Sequence, residues 1–210
     1  PAYLRDELLG NLRLSGWAPD WYAGFPAYQF YMVVPALAIV ALDAGFEGWA
    51  ALVPLAAALG LLAVSGLHRA RRVRRLAFVA ALAVGVLGCG LPYGVAFKWV
   101  TVAGLIALPV AAYVTARLAD LAFPGPPLAA IAAVVYLFNR QPLEASTGNI
   151  IGGNVASTLA GEFSFSLSLL AFVLFLGFLL RGLRTGGYRA TAAVLLGLTA
   201  VNHVIPASYA

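Results

Sequence analysis

Charge is what this sequence has least of. Aspartate, glutamate, lysine and arginine make up 10% of its 210 residues, against about 25% in ordinary soluble domains, which excludes a soluble globular fold. Cysteine is almost missing. The single one, Cys89, forms no intrachain disulfide and has no companion ligands for a metal, so it reads as a small packing residue. Glycosylation sequons, Walker-type phosphate loops and the GxGxxG fingerprint are absent. Alternating strand-like segments of about 10 residues, the mark of an outer-membrane barrel, are absent too.

Hydrophobic residues fill the space, at 62% of the chain with a mean hydropathy of +0.92. Apolar runs fall at about 28–45, 48–67, 76–92, 95–118, 126–139, 164–181 and 190–206. Their lengths predict an all-α polytopic transmembrane bundle of about six spans plus an interfacial or re-entrant helix. The run 126–139 is short. At 1.5 Å per residue it covers about 20 Å of a hydrocarbon core about 30 Å thick.

The net charge of +5 is clumped, with five arginines in "HRARRVRR" (68–75). A nucleic-acid surface needs a basic face on a folded soluble domain; a cluster between two apolar runs fits a cytoplasmic loop instead. "RGLRTGGYR" (181–189) belongs on the same side, because four runs separate the two clusters. The polar loop 140–163 is therefore expected on the extracytoplasmic side. Residues 1–27 are aromatic and mixed, with Trp17, Trp21, Tyr22 and Phe25 around Pro19, Gly24 and Pro26, as suits a membrane–water boundary. Pro35 and the polar start "PAYQFY" leave open whether 28–45 crosses or lies in the interface.

Eight acids occur. Asp43, Glu47 and Asp120 read as solvated charges at helix ends. Asp6, Glu7 and Asp20 lie in the aromatic segment, and Glu144 and Glu162 in the outer loop. Glu162 opens a long apolar run, where helix dipole and free N–H groups favour a carboxylate. That electrostatic fit explains the residue without a function. The sharper reading is a carboxylate on the floor of an outward cavity, acting as a base or holding a cation. "TGNIIGGN" (147–154), with Asn149 and Asn154, is either a flexible turn or a backbone cradle for an anion. His203 is either a helix-end residue or an acid–base group. Lys98 either snorkels to headgroups or meets a lipid phosphate.

The stretch "GWAPDWYAGFPAYQFY" resembles the aromatic segment after the first span in bacterial membrane proteins related by label to 6-pyruvoyl-tetrahydropterin synthase. Pro92, Tyr93, Gly94, Ala96 and Lys98, the block "GNVASTLAGEFSFSLSL" and the ending His203, Ile205 and Pro206 are similar as well. The synthase itself is a soluble enzyme whose chemistry has no counterpart here. Those membrane proteins are similar in plan to GT-C-type glycosyltransferases. The resemblance implies a GT-C-like bundle in a bacterial cytoplasmic membrane, with a lipid-linked sugar donor and a cell-envelope glycan or protein acceptor. It puts Glu162 at the second catalytic acid position, as acid–base group or ligand of a divalent metal. It implies substrate contacts from Lys98, Asn149, Asn154, His203, Tyr22 and Gln29. The first catalytic aspartate would precede Pro1, with Asp6 and Glu7 as substitutes. The chain, which begins at "PAYLRDELLG" and stops at "NHVIPASYA", reads as a fragment of a larger protein.

Three regions are expected: an extracytoplasmic interfacial segment and juxtamembrane helix over 1–45, an added transmembrane hairpin with an arginine-rich cytoplasmic loop over 46–91, and a core over 92–210. A transporter or flippase, or a non-catalytic envelope-assembly scaffold, is the alternative. Transporters usually bind ions near the midplane on broken, repeated helices, whereas Glu162 sits at a boundary.

Overall fold

The computed structural model describes residues 1–20, 24–29, 31–46, 48–67, 70–139 and 152–210. Two helices, α4 (Tyr93–Leu118) and α7 (Phe163–Thr185), are long and apolar enough to cross a membrane. They run side by side in the same direction. Gly104 meets the backbone of Ser166 and Leu167, and eleven residues further along each helix Thr115 meets Gly177. Small side chains let the two backbones approach, and the Thr115 hydroxyl donates to the Val173 carbonyl at 2.6 Å.

Four apolar helices are shorter: α1 (Val33–Asp43), α2 (Leu52–Leu67), α5 (Gly125–Leu137) and α8 (Arg189–Asn202). The helix α3 (Arg71–Cys89) starts on arginines before turning apolar. Most predicted runs reappear as helices with shifted ends. The run 28–45 does not, because only 33–43 is helical. Tyr28 and Met32 have φ of 59° and 70°, so the chain turns sharply before α1. Pro35 then falls in the first turn of α1, where its missing N–H breaks no helical bond.

The short α1 lies across one end of the bundle. At its start the Met32 N–H donates to the Asn202 carbonyl at 3.2 Å, and at its finish the Leu42 carbonyl accepts from Leu91 N–H at 2.7 Å. Ile39 packs in a buried cluster with Ala96 and Val100 of α4 and Phe163 of α7. Helices α2 and α3 form an antiparallel hairpin, Pro54 against Gly88 and Ala58 against Gly85. Gly45 and Gly90 join this hairpin to α1 and α4, with backbones too close for a β-carbon on either. Cys89, expected to pack, is exposed.

The two ends of the bundle differ. Arg71, Arg72, Arg74, Arg75, Arg117, Arg181, Arg184 and Arg189 lie at the end holding the α2–α3, α4–α5 and α7–α8 connections. Asp120 there takes Arg181 at 2.8 Å and Arg184 at 3.3 Å. The opposite end holds α1, the start of α7 and the end of α8. It also carries the N-terminal segment, which contains a π-helical turn (Leu4–Leu8) and an antiparallel pair of strands, β1 (Gly16–Ala18) and β2 (Phe25–Ala27). Between the ends the surface is apolar: Val53, Leu59, Ile106, Val110, Ile131, Val135 and Val194 are each more than half exposed.

Candidate functional site

Glu162 stands at the N-cap of α7 without using its carboxylate as a cap. A short helix, α6 (Val155–Leu159), leads up to it, and Gly161 turns the chain at φ 110°. The Glu162 N–H donates to the Ser157 carbonyl at 3.0 Å. Ser157 is itself held by Asn154, whose side-chain oxygen accepts from Ser157 N–H at 2.8 Å. Asn154 is 1% exposed, so its side chain shapes the turn that carries Glu162. Glu162 is exposed. Upstream, Gly152 and Gly153 adopt positive φ and press against the Phe165 ring, and the Tyr136 hydroxyl donates to the Gly152 carbonyl.

His203 owes its place to Pro206. A proline lacks the N–H that would bond four residues back and clashes with that carbonyl, so α8 cannot run on through 206. The chain breaks at His203, in extended conformation, and restarts as α9 (Val204–Ser208). The released Asn202 carbonyl is the one that takes Met32 N–H. The His203 Nδ1 accepts from Ile205 N–H at 3.2 Å, which assigns the ring proton to Nε2. Its ring sits 5.4 Å from that of Tyr31 and 5.2 Å from that of Phe165. Ser168, one turn further along α7, donates to the Thr199 carbonyl at 2.7 Å and fixes α8 against α7. Phe165, which touches the His203 ring, follows Glu162 by three residues on α7, so Glu162 and His203 lie at the same end of the α7–α8 pair.

Tyr31 also lines a recess of about 560 Å³ with Tyr3, Phe25, Tyr28, Gln29 and Tyr93. Its walls are stacking surfaces tipped with phenols, which suits a ligand with both apolar and hydroxylated faces. The Tyr28 phenol is pushed up to about 12, chiefly by burial and then by Tyr93 and Tyr3. Tyr3 donates to the Trp17 carbonyl at 2.7 Å, which ties the strand pair to the recess. Arg5 lies over the Tyr93 ring, 5.7 Å from its centre, and bonds Asp43 at 2.6 Å and Asp6 at 2.7 Å.

The expected residues therefore separate. Glu162, His203 and Gln29 gather at one end of the bundle. Asp6 is occupied by Arg5, whose hydrogen bond holds its carboxyl below the usual range. Glu7 is exposed on the π-helical turn. Lys98 is exposed on α4, turned away from the buried Ala96 and Val100. Tyr22 and Asn149 lie outside the described residues, as do Glu144 and most of "TGNIIGGN". Tyr3, Tyr28, Tyr31, Tyr93 and Phe165 were missed as site residues. The aromatic density of 1–31 and the Pro206 spacing were the signals that could have found them.

Among the described residues no three of His, Cys, Asp and Glu converge. No protein-family model, no curated protein and no solved structure matches this chain.

Proposed function

We propose that this chain works in an integral-membrane glycosyltransferase that moves a sugar from a polyprenyl-phosphate donor to a cell-envelope acceptor at the extracytoplasmic face. Helices α2, α3, α4, α5, α7 and α8 are the six spans, and α1 rests in the interface. Three things support this reading. The exposed apolar faces between the two ends call for a lipid environment. The arginine-rich end fits the cytoplasmic side, which turns the Glu162 end outward. The sequence blocks around Trp17, Tyr93, Glu162 and His203 resemble the GT-C-like membrane proteins.

The observation that carries the proposal is Glu162 itself, a carboxylate at the mouth of a membrane-length helix, exposed and forming no ion pair among the described residues. In the proposed reaction the acceptor hydroxyl oxygen attacks the sugar's anomeric carbon. Glu162 takes the hydroxyl proton as general base. The bond from that carbon to the phosphate oxygen breaks, and the polyprenyl phosphate leaves with the electron pair. The tyrosine recess is assigned to the acceptor.

The test is transfer from a panel of radiolabelled polyprenyl-phosphate sugars, in membranes containing the intact protein or its Glu162→Gln variant at equal abundance. The proposal expects a loss of about a hundredfold or more. Equal transfer by both would remove Glu162 from the chemistry, and no transfer by the unaltered protein would favour a transporter or scaffold.

A further inference from the structure

The α2–α3 hairpin carries a second, independent feature at the opposite end of the molecule. Arg71, Arg74, Arg75 and Phe78 are spaced i, i+3, i+4 and i+7, so they share one face of α3. With Ser65 of α2 they line a recess of about 570 Å³. Arg72 falls on a different face.

This placement is electrostatically unfavourable for the protein alone. Like charges three and four apart on a helix repel. Arg71 and Arg74 also sit in the first turn of α3, where the helix dipole is already positive, and no acidic residue shares that turn. Three arginines elsewhere are offset by acids: Arg5 has Asp6 and Asp43, and Arg181 and Arg184 have Asp120. Among the described residues Arg71, Arg74 and Arg75 form no ion pair. Three guanidinium side chains lining one recess beside a helix N-terminus are a phosphate-binding chemistry.

The surroundings specify the rest of the ligand. Phe78 lines the recess one turn further along α3 than Arg74 and Arg75. Further along α3, Val79 and Leu82 are each more than half exposed, and so are Leu76 and Leu67 near the arginine end. A molecule that fills both parts has a phosphate head and a hydrocarbon body. We propose that this recess is a binding site for the headgroup of an anionic phospholipid, with its acyl chains along the apolar surface of the hairpin. The site does not depend on the sugar-transfer chemistry.

The test uses the intact protein purified in a neutral detergent. Binding of dioleoyl-phosphatidylglycerol, dioleoyl-phosphatidylcholine and inorganic phosphate is read by native mass spectrometry and by the rise in Tm. Phosphatidylglycerol should bind and raise Tm. The triple variant Arg71→Gln, Arg74→Gln, Arg75→Gln should bind it about a hundredfold less tightly, from about a fivefold loss per cation. Two further triples bracket the result. Arg71→Lys, Arg74→Lys, Arg75→Lys keeps the charge and should retain most of the binding, with unchanged helix content by circular dichroism. Arg72→Gln, Arg117→Gln, Arg189→Gln removes the same charge elsewhere at this end and should leave binding intact. Equal loss in that last triple would overturn the site in favour of diffuse net charge. Equal binding of phosphatidylcholine, or stabilisation by inorganic phosphate as large as by the lipid, would overturn the anionic-lipid assignment.

Discussion

A β-carbon on Gly104 would stand 2.7 Å from the carbonyl carbon of Ser166, so the contact between α4 and α7 is a backbone-to-backbone contact. Gly104→Ala must push the two membrane-length helices apart. Overpacking of this kind costs about 1–3 kcal/mol, which should appear as a lowered Tm in detergent. Gly197 on α8 has open space around its Cα. Gly197→Ala should instead stabilise by about 0.4–1 kcal/mol, so the pair of substitutions separates helix crossing from helix propensity.

Gly152→Ala should act at a distance. Its φ of 68° is left-handed, which costs a residue with a β-carbon about 1–2 kcal/mol. The new β-carbon would also stand 2.6 Å from the Phe165 ring. Phe165 flanks His203, so the variant should lower both Tm and sugar transfer while leaving the Glu162 side chain in place. Unchanged transfer would show that the His203 surroundings tolerate a displaced Phe165.

His203→Ala removes the acceptor for Ile205 N–H together with the ring between Tyr31 and Phe165. Loss of a capping acceptor costs about 1 kcal/mol, and loss of the ring packing adds to it. His203→Asn restores an acceptor and should recover part of the stability. If His203 serves the proposed transfer, His203→Asn recovers Tm more than it recovers kcat.

Asp120→Asn should cost little. Asparagine tolerates the positive φ of 57° at this turn, and the lost partners are the exposed Arg181 and Arg184. Exposed ion pairs are worth about 0–1 kcal/mol, so thermal unfolding should shift by only a few degrees at low salt and less at high salt.

Acid should loosen the N-terminal segment through Asp6. Its hydrogen bond to Arg5 depresses the carboxyl below the ordinary value of 3.8. The stabilisation is therefore complete above 3.8 and is lost as pH falls through the depressed value. Amide exchange over Leu4–Leu8 should accelerate in that acid range, and Asp6→Asn should flatten the dependence.

Helix positions were legible wherever apolar length decided them. The run 95–118 became α4 and 164–181 the body of α7, since nothing in either could satisfy a backbone except its own helix. The short run 126–139 stayed short, as α5. What sequence could not supply was the conformation of 1–32, where the aromatic residues fit an interface whether in helix, strand or turn. The left-handed residues Tyr28 and Met32 carry no glycine to announce them, so the early end of α1 went unseen. Glu162 was found from its solitude among apolar residues. Tyr31 and His203 are joined to each other by long-range pairing, a backbone bridge between residues 31 and 203, and no local pattern encodes such a pairing.

Helix α1 is bonded through its backbone to α8 at one end and to the α3–α4 corner at the other. Its 11 residues thus act as a gauge block about 16 Å long between two helices that share little else. Inserting a single residue would lengthen it by only about 1.5 Å but rotate one bonded end by about 100° against the other. The width of the end that carries Glu162 is consequently set in whole helical turns, so a change of length there should switch the site's geometry rather than tune it.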